Sequence, residues 1–385
     1  MPLITVLSEY EENTVHFSIE TITGDVMSRK RQTEQSPIEV LIVAVPETAG
    51  SALYGMLDVL MAAGNIWQTL VRSESEKRLF NVRIVSTHKR QFTCGNNIPV
   101  NPDVSIKDNH EAGIVILPEL WLGPDESING RYPALMDWIR QQYKQGSTLY
   151  SACSGAIMLA ESGLLNGCPA TSHWGYKDLF RKQYPKVSFQ PEPNLVFADP
   201  GGRIVTAGGT TSWHDLAIHI ISRHASTGEA LRIAKVYLLK WHGEGQLPYA
   251  SLDRSAPHAD SVVRRCEQWM KENYRDSQAI SHIIEQAGIP ERTLKRRFKA
   301  ATGSTLIEYI QNLRIEEAKR LLEAGQMPVD DISIEVSYED PSFFRRLFKR
   351  LTGLTPSQYR RMFKPVMNGG IKEDQGVRVL ENMTP

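Results

Sequence analysis

The sequence has 385 residues, which is too long for one ordinary domain and predicts at least two. Lys plus Arg and Asp plus Glu number 44 each, yet basic residues outnumber acidic ones between residues 261 and 365, which suits a nucleic-acid reader joined to a mildly acidic domain. The four cysteines lack metal-ligand spacing and are too few for a disulfide scaffold, which favours a cytoplasmic protein. No run of about 18 apolar residues is present, so a membrane span is not expected. No cofactor is predicted.

Residues 1–36 mix short β-like pieces with polar text, and predict an extension that is partly disordered. This stretch has early acidic residues and no apolar segment of the kind found in a secretory signal. Organised structure is predicted from residue 37, because residues 38–46 (IEVLIVAVP) form a continuous apolar run typical of a buried parallel strand.

Strands and helices then alternate along the chain. Further strands are predicted at residues 81–88, 113–118 and 147–153, with helices at residues 51–64, 133–145 and 154–163. Residues 216–241 are predicted to be helical, with a break at residues 226–228. The alternation predicts a doubly wound α/β sandwich over residues 37–242.

One junction in this region, YSACSGAIMLAESG, contains a candidate residue for catalysis or ligand binding. A strand ends at Cys153 and a helix follows at once, which places the thiol at the carboxyl edge of the sheet, where α/β folds bind ligands. A helix amino terminus also favours a thiolate. His173 follows in the string PATSHW and could fold back toward Cys153. A buried histidine bonded to backbone is the commoner alternative.

Glu119 and Trp121 come directly after another strand and belong to the same predicted edge. An acid beside an aromatic side chain could hold a cationic or quaternary amine through charge and cation–π contact. The alternative is that Trp121 packs against a neighbouring helix. Cys153, His173, Glu119 and Trp121 are therefore the candidate ligand-binding residues.

Residues 243–259 combine Gly, Pro and Ser without periodicity and predict a linker. A helical region is predicted over residues 260–365, and residues 366–385 are predicted to form a flexible tail. The helical part holds one pattern written twice, because Gly303, Phe298 and Tyr309 recur 50 positions later as Gly353, Phe348 and Tyr359. A repeat of this kind predicts a repeated supersecondary unit.

Each copy predicts a helix, a short turn and a second helix with a buried apolar stripe, formed by Leu294 and Phe298 in the first copy and by Phe344 and Phe348 in the second. The opposite faces are basic, so the two copies predict paired helix-turn-helix units that bind DNA. The alternative is a solvated basic face on an ordinary helical bundle. The candidate DNA-binding residues are Arg292, Thr293, Lys295, Arg296, Lys299, Ser342, Arg345, Arg346, Lys349 and Arg350.

The region from about residue 260 to residue 363 resembles the DNA-binding domain of the AraC/XylS family of bacterial regulators. The strings LRIEEAKRLLEAG and YEDPSFFRRLFKRLTGLTPSQYRR carry the resemblance. Two positions depart from the family pattern: Pro290 stands where a Ser cap is usual, and Ser337 replaces the usual turn glycine. Both could shift a turn, but neither removes a basic residue.

Residues from about 38 to 249 resemble the class I glutamine amidotransferase-like superfamily in its PfpI-like branch, and more closely the GlxA-type regulators that fuse such a domain to an AraC-type reader. The strings CSGAIMLAESGLLNG, ATSHW and GEGQLPY carry this resemblance. PfpI-type hydrolases place a His directly after the Cys, where this chain has Ser154. The acid that some relatives carry early in helix one is also missing, since Ala52 and Leu53 stand there. The resemblance therefore implies an inherited turn that lines a ligand pocket, with a purely structural Cys153 or a working nucleophile as alternatives.

Taken together, the sequence predicts a transcriptional regulator that is not an enzyme. Its expected partners are double-stranded DNA, a small metabolite such as an amino acid, amine or betaine, and a second copy of the chain bound through the α/β domain. RNA polymerase is a further candidate partner. The rival hypothesis is a cysteine hydrolase or amidotransferase that carries a DNA-binding domain, and a third is an architectural DNA-binding protein without a ligand.

Overall fold

The computed structural model describes residues 10–11, 14–15, 36–72, 77–252 and 258–367. The chain divides into two units, Met1–Pro37 and Ile38–Pro385. In the first unit, Tyr10–Glu11 (β1) pairs antiparallel with Thr14–Val15 (β2). The predicted disorder of residues 1–36 and the predicted loose tail at residues 366–385 lie almost entirely outside the described residues.

A seven-stranded sheet forms the centre of the amino-terminal part of the second unit, in the order β12-β13-β9-β8-β3-β4-β7. All neighbouring pairs are parallel except β12 with β13 at one edge. Two short pairs lie apart from it, β5 with β6 and β10 with β11. The strands are Ile38–Val43 (β3), Phe80–Ser86 (β4), Phe92–Cys94 (β5), Ile98–Val100 (β6), Val104–Ser105 (β7), Ile114–Leu117 (β8), Thr148–Ala152 (β9), Pro169–Ala170 (β10), Ser188–Phe189 (β11), Leu195–Phe197 (β12) and Ile204–Ala207 (β13).

Both faces of this sheet are buried, which explains the continuous apolar text of its strands. Along β3, Leu41 and Val43 enter one hydrophobic core, whereas Val40 and Ile42 enter a second core on the opposite face. Side chains alternate across a strand, so one apolar run supplies both cores.

Seven helices cover the two faces, as the doubly wound prediction requires. Pro133–Lys144 (α3), Ala156–Glu161 (α4) and Lys177–Gln183 (α5) supply the first core, and Gly50–Ala62 (α1), Trp213–His224 (α6) and Thr227–Val236 (α7) supply the second, with the short Ile66–Leu70 (α2) beside α7. The predicted break falls at Ser226, whose hydroxyl caps α7. The helix predicted to reach residue 241 ends at Val236, and Leu238 has a left-handed φ of 53°.

The carboxy-terminal part is all helical and holds two small cores joined by one long helix. The helices are Ser261–Glu272 (α8), Ala279–Gln286 (α9), Glu291–Thr302 (α10), Leu306–Ala324 (α11), Val329–Glu335 (α12), Pro341–Thr352 (α13) and Pro356–Met367 (α14). One core includes Leu294 and Phe298 of α10, and the other includes Phe344 and Phe348 of α13. The predicted fold class is therefore confirmed. Among the helices that the structure describes, none is both long and apolar enough to span a bilayer.

The two helix-turn-helix units match down to backbone angles. Helices α10 and α13 both end at a left-handed glycine with a φ of 77°, Gly303 and Gly353. In the turns that precede these helices, Gly288 and Ser337 both have a φ of 64°. The Ser at the second turn therefore keeps the conformation of the expected glycine, and Pro290 begins α10 as an N-cap residue without a side-chain cap.

Ser337 also joins the two helix-turn-helix units, because its hydroxyl donates a hydrogen bond to the carbonyl of Arg275 in the first helix-turn-helix unit. Arg314 of α11 reinforces the junction. Its guanidinium donates to the Tyr274 and Asp276 carbonyls at 2.7 and 2.9 Å, and to the Ser337 carbonyl at 3.3 Å. Three carbonyl acceptors from two units fix the relative orientation of α10 and α13.

The turn conformation gives a stability prediction. A Cβ at Gly288 would meet no atom within 4 Å, so Gly288→Ala costs only the left-handed backbone strain, about 1–2 kcal/mol. Gly325 is a matched control, because its Cβ would also meet nothing within 4 Å and its φ of −175° is ordinary extended backbone. Urea unfolding of the helical part should show the loss for Gly288→Ala and little change for Gly325→Ala. Equal urea midpoints for the two variants would contradict the left-handed turn at Gly288.

Candidate functional site

Three side chains meet at the carboxyl ends of adjacent strands. Glu119 follows β8, Cys153 follows β9 and Thr210 follows β13, and these strands are neighbours in the sheet. The Cys153 thiol lies 3.6 Å from Oε1 of Glu119, and the Thr210 hydroxyl donates to the same oxygen at 3.0 Å. The parallel sheet therefore brings together residues that are far apart in sequence.

The turn at Cys153 is sharp and closely packed. Cys153 has a φ of 52°, a left-handed conformation that is strained for a residue with a Cβ. A Cβ on Gly155 would overlap the Leu117 carbonyl, so only glycine lets the chain pass this close to β8. Ser154, which stands where hydrolases carry His, exchanges two hydrogen bonds with the Leu120 backbone at 2.6 and 2.7 Å. Ser154 thus ties the turn to the loop that carries Glu119.

The electrostatics of this group oppose nucleophile chemistry. Cys153 is buried, and burial followed by the charge of Glu119 raises the pKa of its thiol far above the ordinary value. Burial also raises the pKa of Glu119, against the hydrogen bonds from Thr210 and Cys153. Oε2 of Glu119 has no hydrogen-bond partner among the described residues, which favours a neutral carboxyl. A protonated thiol facing an acid lacks the base that an activated cysteine needs.

A cavity of about 230 Å³ opens beside this group, and we refer to it as the edge cavity. Thr210 belongs to both, so the cavity lies one hydroxyl away from Glu119. The described lining carries no lysine or arginine. Its members are His173, Trp174, Asn194, Gly209, Thr210, Thr211, Ser212, His242, Gly245, Gln246 and Tyr249.

A second acid stands behind the cavity wall. Asp215 is fully buried and accepts hydrogen bonds from the His242 backbone N–H at 3.0 Å and from the Asn194 amide. Nδ1 of His242 lies 2.9 Å from the same carboxylate. Two lining side chains are therefore oriented by one buried carboxyl group.

The structure separates the four predicted ligand-site residues. Cys153 and Glu119 are paired, whereas His173 lines the edge cavity, where Nδ1 accepts the Gly175 N–H at 3.0 Å and the ring lies 4.8 Å from that of Trp174. Trp121 is 59% exposed and its indole N–H donates to Asn96 at 3.2 Å, so it lies on the surface beside the short 3-10 segment Gly95–Asn97. The ligand role of each residue stays a prediction.

Sequence reasoning missed two features of the site. It named Glu119 only as a pocket acid and looked for the partner of the thiol early in helix one. It also read residues 243–259 as a linker, although Gln246 is only 3% exposed and its amide is inserted into the α/β part. The string GEGQLPY was the available signal, since it stood out within otherwise loop-like text.

On the helical part, the predicted DNA-binding side chains are exposed, except for the half-buried Thr293. Four of them pair with acids: Lys295 with Glu291, Lys299 with Glu308, Arg345 with Asp330, and Arg346 with Asp340 at 4.0 Å. Such exposed pairs are weak and exchange readily for phosphate. Phe343, which occupies the position of Thr293 in the second unit, is 41% exposed beside these basic residues and was missed.

Comparison with known proteins agrees with both halves of this architecture. Residues 65–223 match the DJ-1/PfpI family, and residues 283–362 match a helix-turn-helix domain. The HTH-type transcriptional regulator CdhR of Pseudomonas aeruginosa is 27% identical over 73% of this chain and 82% of its own length. The chain is a transcriptional regulator that joins a DJ-1/PfpI domain to an AraC-type helix-turn-helix domain. The predicted family is thereby confirmed.

Two further relatives of this regulator are also named as regulators. The HTH-type transcriptional regulator GlxA of Rhizobium meliloti is 27% identical over 58% of this chain and 68% of its own length. The HTH-type transcriptional regulator GbdR of Pseudomonas aeruginosa is 20% identical over 86% of this chain and 89% of its own length. The similarity thus extends across both the DJ-1/PfpI and the helix-turn-helix parts.

The raised pKa of Glu119 gives a pH prediction for the regulator. A carboxyl whose folded pKa lies above its unfolded value, about 4.3, contributes stability that is lost as the pH rises through the folded pKa. Glu119→Gln keeps an acceptor for Thr210 but cannot ionise. The melting temperature of the variant relative to the wild type should therefore be higher at pH 8 than at pH 5.

Glu126 supplies the matched control, because hydrogen bonds from the Gly123 N–H and Arg131 lower its pKa. Glu126→Gln should show the opposite trend, and a smaller one, since this side chain is exposed. If the melting temperature of Glu119→Gln relative to the wild type is constant or falls as the pH rises, the raised pKa of Glu119 would be contradicted.

Proposed function

We propose that the regulator responds to a small metabolite. Its α/β domain, residues 37–242, would bind the metabolite at the carboxyl edge of the sheet, and the helical domain, residues 260–365, would bind operator DNA. The observation that carries this proposal is the edge cavity itself, a half-open site whose described lining has no lysine, arginine or carboxylate, at the edge where α/β folds bind ligands.

The chemistry of the edge cavity favours a cationic or zwitterionic ligand. Trp174 and Tyr249 supply aromatic faces, which attract an ammonium or quaternary amine. Asp215 places an acid behind the wall, and the described lining offers no lysine or arginine for a phosphate or dicarboxylate. An amino acid, amine or betaine meets these requirements, and His173 would contact it from the Trp174 side.

On DNA, we propose that α10 and α13 enter two successive major grooves. Helix α11, which connects the two units, has 19 residues and is therefore about 28 Å long, comparable with the roughly 34 Å of one DNA turn. Arg296 and Arg346 would read base edges, and the flanking basic residues would bind phosphates. Thr293 and Phe343 both present carbon atoms from the first turn, which suits contact with a thymine methyl group.

The regulator would act as a homodimer through its α/β domain. Leu231, Leu238 and Trp241 are 57%, 88% and 51% exposed in and after α7, an apolar surface that supports such a contact. Contact with RNA polymerase stays a prediction.

The rival hypothesis, a cysteine hydrolase or amidotransferase, finds little support in the site geometry. The thiol is buried beside an acid, and the imidazole of His173 accepts a backbone N–H. The named relatives are regulators. Turnover of acyl or amide substrates that is abolished by Cys153→Ala would reverse this choice.

The DNA-reading proposal is tested with Arg296→Ala, Arg346→Ala and the double variant. If each arginine reaches a base edge, each change should weaken operator binding by about 1–3 kcal/mol and relax base preference in one half of the site. The two losses should add, because the residues lie on different helices with separate cores. Affinities are measured across operator variants and salt concentrations.

Arg90→Ala is the matched control, because Arg90 is an exposed arginine in the α/β domain. It should leave affinity unchanged. A uniform loss on all sequences for Arg296→Ala or Arg346→Ala, with the salt slope lowered by about one, would indicate a phosphate contact. Losses below about 0.5 kcal/mol would mean that the basic faces are only solvated.

The metabolite proposal is tested by a thermal-shift screen of amino acids, amines and betaines against the full chain. A true ligand at 100 times its Kd should add about 2.7 kcal/mol of stability. Trp174→Ala should then weaken its binding by about 2- to 30-fold, the equivalent of a lost cation–π contact. Trp121→Ala, which removes an exposed Trp outside the cavity, should not change the Kd. A ligand whose Kd responds to Trp121 and not to Trp174 would place the site elsewhere.

A further inference from the structure

Residues 243–252, which we call the strap, leave the α/β domain in an ordered path. Gln246 anchors the strap, since its amide nitrogen donates to the carbonyls of Ser172 and Pro193 at 3.0 and 3.2 Å and to the Thr171 hydroxyl at 3.2 Å. Its amide oxygen accepts the Trp174 backbone N–H at 3.2 Å. A buried glutamine with all these bonds satisfied holds the strap in one register.

The far end of the strap is bound by the helical domain. Lys319 of α11, which is only 6% exposed, donates from Nζ to the Ala250 carbonyl at 2.7 Å. The Leu252 N–H donates to Glu316 of the same helix at 3.0 Å. Tyr249 packs edge-on against Phe363 of α14, with ring centroids 5.8 Å apart. The strap therefore contacts both the connecting helix and the last helix.

The strap is also a wall of the edge cavity. Gly245, Gln246 and Tyr249 line the cavity. The side-chain oxygen of Gln246 accepts the backbone N–H of Trp174, which is another lining residue of the cavity. Any molecule that fills the cavity must contact the segment that also holds α11.

We infer that the strap transmits occupancy of the edge cavity to the DNA-binding domain, with Gln246 as its anchor on the sensing side and Lys319 as its anchor on the helical side. This inference rests on the proposed metabolite sensing and names the route by which it would regulate DNA binding. Gln246 acts as a positioning residue and needs no direct contact with the metabolite.

The buried ammonium of Lys319 makes this coupling stiff. Nζ of Lys319 donates to Glu316 at 2.8 Å as well as to the Ala250 carbonyl, and Glu316 also accepts the Leu252 N–H, so displacement of the strap would break hydrogen bonds to one connected network on α11. Because α11 also carries Arg314, which ties the two helix-turn-helix units together, a shift in α11 alters the mutual orientation of α10 and α13.

A single methyl group can test the strap without touching the DNA-binding domain. A Cβ at Gly208 would overlap the amide of Gln246, and Gly208 does not have a left-handed φ, so Gly208→Ala should displace the anchor without backbone strain. Gly228→Ala is the matched control, because Gly228 lies outside the edge cavity and the strap and its Cβ would meet only Ser226 Oγ, at 3.8 Å, which is an ordinary contact.

The experiment uses the full chain, without any metabolite, on DNA selected from a random library by the wild-type protein. The docked strap holds the two reading helices in place before binding, so its release should raise the Kd for this DNA at least about threefold in Gly208→Ala, whereas Gly228→Ala should stay close to wild type. Amide exchange in residues 306–324 should be faster in Gly208→Ala alone. Gln246→Ala, which removes the anchor without a wedge, should reproduce both effects if Gly208→Ala does not fold.

Unchanged or tighter DNA binding in both Gly208→Ala and Gln246→Ala would overturn the coupling. A metabolite that stabilises the wild type while neither variant changes DNA affinity or exchange would leave metabolite sensing intact and exclude the strap as its route. Weaker DNA binding by both variants would support the strap even if the thermal-shift screen finds no metabolite. A screen that finds no metabolite would count against metabolite sensing alone.

Discussion

The guanidinium of Arg314 holds the reading half of the molecule together. Each helix-turn-helix unit has its own small core, and neither core extends into the other. What fixes their mutual orientation is α11 together with the hydrogen bonds that Arg314 donates to Tyr274, Asp276 and Ser337. Recognition of two grooves requires a fixed distance and angle between two helices, and here a few carbonyl acceptors set both. The strap meets the same helix two and five residues later, at Glu316 and Lys319.

Much of this architecture could be predicted from the sequence because it follows from local rules. The repeat predicted two matching helix-turn-helix units, and the apolar stripes predicted which side of α10 and α13 is buried. The strands could be located because burial on both faces needs an unbroken apolar run. The helix predicted to reach residue 241 ends at Val236 because the chain turns at Leu238, and nothing in the helical periodicity announces that turn.

The site was harder to predict, because it depends on pairings between distant residues. The search for an acid in helix one found none, yet Glu119 reaches the same thiol from the neighbouring strand, and only the strand order reveals this. Gln246 looked like linker text because a polar residue among Gly and Pro gives no sign of being buried. Its site is built by three carbonyl or hydroxyl groups and one N–H from two separate segments. Phe343 was overlooked since the apolar stripe of α13 was already assigned to its neighbour Phe344.

The pairing of Cys153 with Glu119 has a consequence for how this protein meets oxidants. Peroxides attack thiolates, and a thiol with a strongly raised pKa contains far less thiolate at neutral pH than an ordinary cysteine. Burial removes the access that sulfenic acid formation also needs. Oxidation at Cys153 should therefore be slow, so the metabolite sensing proposed for the edge cavity would not depend on the redox state of the surroundings. A cysteine in this kind of turn would be reactive if it were exposed and ionised, whereas the buried, protonated Cys153 is an unreactive part of the α/β domain.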